Sequence, residues 1–256
     1  MLPFGQRELT ACMRRVTCTE LLDEDRGTLR EIQDSLDDLW RVNRWLGGVS
    51  SCLQLLEGFL AGAGVQPVRI LDVGAGDSRL AGRLQVELHK RGVQAEFTVL
   101  DRRLTHLRNG RQLPRCRQDG GPTSVEGPQS VVADVLALPF ADGSFNVVMC
   151  NLFFHHFSGQ LAEQVLSRLA AIASEAVVIS DLERHWLPYL FIRYTRCFTR
   201  SPITRHDAPA SVRQAYTRDE LAAVARAAGF TNFNVRRFVP FRLGLTLWKS
   251  RDDCGF

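Results

Sequence analysis

Apolar residues recur every three or four positions near the start of the chain, where Leu29, Ile32, Leu36, Leu39, Val42 and Leu46 make one stripe. This spacing predicts an amphipathic helix over 19–47, stopped by Gly47-Gly48. Ser50 or Ser51 can cap a second helix reaching about Ala61, with Leu53, Leu56 and Leu60 on one face. Short apolar runs then take over and read as strands at Val68–Val73, Ala95–Leu100, Val131–Ala133, Phe145–Cys150 and Ala176–Ile179. Between them, Leu80, Leu84 and Leu88 mark a helix ended by Gly92. A short helix fits 102–108, and Leu161, Val165, Leu169 and Ile172 mark another. The polar, Gly- and Pro-rich segment 109–130 reads as a loop. After an aromatic, partly helical stretch at 183–216, Thr217 and Glu220 form a capping box for a helix to about Ala228, with Gly229 as its stop. Strands at about 232–239 and 241–248 finish the pattern.

Strands alternating with helices imply βαβ units. The expected fold is α/β, a doubly wound, mostly parallel seven-stranded sheet with N-terminal helices and a helical insertion after the fifth strand. Residues 1–64 are expected to form a helical cap and 65–256 the main domain, with a substrate cover at 183–216. Ligands in such sheets bind beyond the carboxyl ends of the strands. Chemistry is therefore expected just after Val73, Leu100, Ala133, Cys150 and Ile179.

Composition narrows the function. The 256 residues carry a net charge of +4, and Lys90 and Lys249 are the only lysines. Arginines lie scattered among acids in no basic stripe, which argues against a nucleic-acid partner. The seven cysteines are odd in number and include no CxxC pair, so reduced thiols in a cytoplasmic protein are expected, without a zinc cluster. No signal-peptide core or membrane-spanning run is present in the sequence.

The stretch ILDVGAGDSRL at 70–80 decides the cofactor class. A dinucleotide turn requires G-x-G-x-x-G, whose third glycine permits close helix–strand packing, but Arg79 stands there. Asp72, Gly74 and Gly76 instead give acidic-x-Gly-x-Gly. A carboxylate at such a turn can anchor an α-ammonium, and the glycines let the backbone approach a ligand. Asp101 ends strand two, as a ribose-binding carboxylate would. The stretch ADVLALPFADGSFNVVMC follows at 133–150, and NLFFHHF at 151–157 follows strand four.

These motifs resemble the class I S-adenosylmethionine (SAM)-dependent methyltransferases over roughly 66–182. Ser78 replaces a frequent third glycine, and Asn146 a frequent Asp. The likeness is greatest to ubiquinone- and menaquinone-type enzymes. The segments LDDLWRVNRWLGG (36–48) and RHDAPASVRQAYT (205–217) also resemble bacterial polyketide-associated methyltransferases. The resemblance implies SAM as cofactor and S-adenosylhomocysteine (SAH) as product. It assigns cofactor contacts to Asp72, Gly74, Gly76, Asp101, Arg102, Asp134, Val135 and Asn151; Asn43 and Arg44 of the first helix could reach the SAM carboxylate, or Arg44 could lie on a solvated helix face.

Methyl transfer is an in-line displacement at a sulfonium, so the protein supplies alignment and a base. A phenol with a pKa of about 10 is scarcely ionised at neutral pH, and a histidine near 6.5 can take its proton. His155 and His156 are the candidates, with His155 preferred to face the acceptor and the other packing or capping the following helix. Asp181, Trp186, Tyr189, Arg205 and His206 are candidate substrate contacts. Asp181 could equally pair with Arg184, and the aromatic residues could simply cover the sheet. The expected acceptor is a small aromatic or apolar molecule, with phenolic oxygen ahead of a quinone-type ring carbon. A non-catalytic SAM-binding protein is the alternative of another class. No metal is expected, nor stable membrane insertion.

Overall fold

The computed structural model describes residues 13–60, 67–112, 127–194 and 199–249. Most of the segment expected to be a loop at 109–130 lies outside these residues, as do Cys116 and Phe198. Seven strands form one sheet in the order β3-β2-β1-β4-β5-β7-β6. They are β1 (Val68–Val73), β2 (Ala95–Asp101), β3 (Gln129–Val132), β4 (Phe145–Asn151), β5 (Ala173–Leu182), β6 (Phe233–Phe238) and β7 (Arg242–Trp248). All neighbours are parallel except β7, which runs antiparallel to both β5 and β6. This is the doubly wound sheet expected from the alternation of elements. β1 and β4 are buried along nearly their whole length because helices cover both faces, as their unbroken apolar runs require. Leu71, Val73, Val148 and Ile179 belong to the core on one face, and Ile70, Val147, Met149 and Val178 to the core on the other.

The helices are α1 (Leu29–Trp45), α2 (Gly48–Leu60), α3 (Arg79–Lys90), α4 (Leu104–Gln112), α5 (Gln160–Ile172), α6 (Trp186–Tyr194), α7 (Pro202–Gln214) and α8 (Arg218–Ala227). Four expectations are corrected. The first helix begins at Leu29, not 19, because Thr28 is extended and makes a capping box with Glu31, while Gly27 has φ +143. Residues 13–28 instead form an irregular strap across the carboxyl ends of the strands. The second helix begins at Gly48. Ser50 and Ser51 sit inside its first turn and donate to the Gly47 and Gly48 carbonyls, so neither caps it. α4 extends to Gln112, into the segment expected to be a loop, and β5 runs on to Leu182, so Asp181 lies within the strand. The expected Thr217–Glu220 capping box is present at α8. No helix among the described residues is long and apolar enough to cross a membrane.

Candidate functional site

The turn after β1 folds as its glycines permit. Gly74 has φ +70 and Gly76 φ +56, and the N–H groups of Gly74 and Ala75 both donate to the Leu100 carbonyl. A Cβ on Gly74 would meet ring atoms of Phe153 at 2.4–2.9 Å, so only glycine lets strand four's loop close over strand one's turn. Ser78 sits at φ +67 as the N-cap of α3 but makes no side-chain cap. The left-handed backbone explains why glycine suits this position; serine there costs about 1–2 kcal/mol.

Against the turn lies a cavity of about 80 Å³ lined by Asp72, Gly74, Gly76, Asp77 and Asn151 from the sheet side. Leu36, Leu39, Trp40 and Asn43 of α1 form its roof. Asp72 is buried and has no cationic partner among the described residues. Burial, helped by the Asp101 carboxylate, pushes its pKa up to about 8. An acid held this far from its ordinary value at a ligand turn suits a cationic partner. α1 is pinned over the turn by Arg79, which pairs with Asp37 at 2.7 Å and with Asp77, its guanidinium 5.8 Å from the Trp40 ring centre.

The other predicted cofactor residues are partly committed elsewhere. One oxygen of Asp101 accepts from the Gly76 N–H at 2.8 Å, the other from the Arg103 N–H at 2.8 Å. The carboxylate thus shapes the turn, and His106 Nδ1 lies 3.5 Å from its second oxygen. Asp134 accepts from the Leu136 N–H at 2.9 Å, and Val135 is buried behind it. Arg102 is exposed and lies 3.9 Å from Asp134. Asn151 donates to the Asn43 side chain at 3.0 Å and accepts from the fully buried Arg242 at 3.1 Å. Arg242 also donates to Asn43 and to the Leu46 carbonyl, tying α1 to the sheet. Arg44 is exposed, its guanidinium 5.0 Å from the Trp45 ring centre, and its neighbour Asn43 faces the cavity.

The histidines lie on a single 3-10 turn (Phe154–His156) beyond β4. His155 is 2 % exposed. Its Nδ1 lies 2.8 Å from Asp181 Oδ1, its backbone N–H donates to Asp181 Oδ2 at 2.9 Å, and its Nε2 faces Glu20 at 3.5 Å. Asp181 therefore serves His155, not Arg184, which pairs with Glu220. Burial opposes charge on His155, but Asp181 and Glu20 outweigh it and raise its pKa to about 10. His156 stacks on His155 with ring centres 4.3 Å apart, and its Nδ1 is 3.1 Å from Asp23. Burial and the neighbouring His155 charge lower its pKa. The expectation of one histidine facing outward and one packing is replaced by a stacked pair, each ring held by an acid.

Glu20 and Asp23 were missed from the sequence because the acid-rich stretch ELLDED reads as a solvated face. The strap that carries them is fixed at both ends of the site. Arg15 donates to the His155 and Phe157 carbonyls, each at 2.8 Å, while the Asp23 carbonyl accepts from Arg103. Asp207 accepts from the Leu21 and Leu22 N–H groups, which gives the buried part of the RHD cluster its structural task. Arg205 and His206 both lie exposed on α7. α7 buries Ile203, Thr204 and Asp207, which leaves the two intervening side chains exposed, with Arg205 donating to the Thr199 carbonyl. Trp186 is 39 % exposed and Tyr189 half-buried, on a helix with no buried residue.

Residues 70–175 match the family model described as a methyltransferase domain. Similar solved structures include a SAM-dependent methyltransferase from Aquifex aeolicus, with 16% identity, 87% of this chain and 98% of that one covered, and a TM-score of 0.57. The plantazolicin methyltransferase BpumL, solved with SAH, has 15% identity, coverage of 90% and 100%, and a TM-score of 0.59. Magnesium protoporphyrin IX methyltransferase from Synechocystis PCC 6803, solved with SAM, has 15% identity, coverage of 82% and 81%, and a TM-score of 0.51. At these identities the structures establish the fold. No curated protein matches the chain. The matched segment runs from β1 into β5 and contains the glycine turn, Asp101, Asp134 and the histidine pair. That segment is similar to a methyltransferase domain, and the chain has the fold of solved SAM-dependent methyltransferases.

Proposed function

We propose that the protein methylates a small molecule, at the oxygen of a phenolic or polyketide-like acceptor that loses its proton at the histidine pair. The observation carrying this reading is that two sites meet at the carboxyl edge of the sheet. One is the glycine turn with its unpartnered Asp72, and the other is the stacked pair His155–His156 on the loop whose Phe153 covers Gly74.

The residues at the turn fit the cofactor chemically. Asp72 would meet its α-ammonium, Asp101 its ribose, Asp134 and the backbone of Val135 its adenine, while Gly74 and Gly76 leave room for close approach. When bound, SAM supplies a methyl group activated as a sulfonium. Ligand sites usually enclose about 300–1,000 Å³, so admitting the cofactor would require α1, with Leu36, Leu39 and Trp40, to swing outward against the Arg79 and Arg242 ties. Nearby, Asp181 and Asp23 fix the orientation of the two imidazoles, and Phe153 and Phe154 keep water from the space beside them. α6 carries Trp186 and Tyr189 as the candidate acceptor cover, and an aromatic cover would favour a phenol-like acceptor.

The test is transfer of labelled methyl from SAM to a panel of phenols and quinols. Product from at least one of them, with His156→Ala reducing the rate at least 100-fold while retaining SAH binding, is the expected result. SAH binding with no product from any acceptor, unchanged by the mutation, would make the protein a cofactor-binding module instead.

A further inference from the structure

We propose that Glu20, His155 and His156 form a site for one divalent transition-metal ion, through which the histidine pair acts on the acceptor. One ligand atom from each residue lies within 4.8 Å of the others. Two imidazoles and a carboxylate make a ligand set suited to zinc, iron(II), cobalt or manganese.

The surroundings are built as metal ligands require. Asp181 accepts from both the His155 backbone N–H and its Nδ1, which turns the Nε2 lone pair toward Glu20. This Nε2 is buried and has no hydrogen-bond partner among the described residues. It faces Glu20 Oε1 at 3.5 Å, so an ion that displaced the Nε2 proton would lie between a nitrogen and a carboxylate oxygen. A cation between them satisfies both. Glu20 itself is oriented by the Ser211 hydroxyl at 2.7 Å and by Gln214 Nε2 at 3.1 Å, both from α7. His156 has Asp23 at its Nδ1 at 3.1 Å. Each ligand is thus braced by a second residue from a different element, the usual support of a metal-binding side chain. Ligand atoms about 2.0–2.2 Å from an ion stand roughly 3.0–3.5 Å apart. Binding would therefore draw the half-buried His156 inward by roughly an ångström, while His155 and Glu20 are already spaced correctly.

The site changes how the acceptor is activated, and in this it rests on the methyltransferase reading. A hydroxyl coordinated to the ion ionises near neutral pH, as bound water does. The O–H bond breaks, its electron pair stays on oxygen and the proton leaves to solvent past Asp23. The oxygen pair then forms the new O–CH₃ bond as the C–S bond breaks toward sulfur, leaving SAH. This departs from the metal-free transfer expected from the sequence, where the acid-rich strap gave no sign of reaching the histidines.

The experiment uses the full chain, dialysed against EDTA and then titrated with Co²⁺ alone, followed by its visible absorption, and with Zn²⁺ by calorimetry. One equivalent is expected to bind. Affinity should fall at least tenfold in both Glu20→Gln and His156→Ala, and remain unchanged in His89→Ala, which alters an exposed histidine on α3. A thermal shift with SAH, measured on every variant, reports folding and cofactor binding separately. Wild-type protein that binds no stoichiometric ion, or Glu20→Gln and His156→Ala variants that bind it equally well, would overturn the site. Methyl transfer undiminished in ion-free protein would overturn the ion's role and leave the methyltransferase reading standing. Ion binding without any methyl transfer or SAH binding would retain the site and overturn that reading.

Discussion

Replacing Asp72 by Asn tests the cofactor turn through its electrostatics. In the folded chain this carboxyl holds its proton to about pH 8, against 3.8 for the ordinary group. The unfolded chain therefore loses the proton about four pH units earlier. Over that window the native state binds more protons than the unfolded state, so stability falls as pH rises from about 4 to about 8 and is flat above. At 1.36 kcal/mol per unit the ceiling is about 5 kcal/mol. Asn is nearly isosteric and never ionises, so Asp72→Asn should be more stable than wild type at pH 9 by a few kcal/mol, with a smaller gap at pH 5. At about 2–4 °C per kcal/mol, the Tm difference should widen by roughly 5–10 °C between the two. The readout is thermal unfolding across pH with and without SAH. At about 100 times its Kd the ligand should stabilise wild type by about 2.7 kcal/mol, and the variant by much less, since the ammonium loses its partner. Parallel pH profiles for the two proteins, or equal shifts with SAH, would refute the reasoning.

Ser78→Gly should raise stability by about 1 kcal/mol, because it relieves a left-handed residue with no capping bond; chemical denaturation measures this. Gly74→Ala should lower stability by 2 kcal/mol or more, on the order of other strained substitutions, and weaken SAH binding, since its Cβ meets the Phe153 ring; calorimetry with SAH follows both. Arg205→Ala and His206→Ala should leave methyl transfer within twofold and stability within about 0.5 kcal/mol, as both side chains are exposed. A tenfold loss of rate in either would restore them to the acceptor site.

The sheet was legible because each strand carries a short apolar run and each helix a stripe of a different period. The boundaries that failed did so for local reasons. The stripe through Leu29 and Ile32 continues backwards as Leu22 in apolar spacing alone, but Gly27 and Thr28 end the helix by backbone geometry and capping. The turn residues could be read because their spacing is local. The histidine pair could be named but not its partners. Glu20 and Asp181 lie more than a hundred residues apart in sequence; the pairing of β5 with β4 brings Asp181 to His155, and the strap brings Glu20. Of Asn43 and Arg44, α1's rotation, set by Ile32, Leu36 and the buried Arg242, turns Asn43 inward.

The central claim is that ILDVGAGDSRL holds SAM. Calorimetric titration of the wild-type chain with SAH, beside NAD, tests it most directly. The account predicts saturable binding of one SAH per chain and none of NAD. Binding of NAD alone, or of neither, would contradict it.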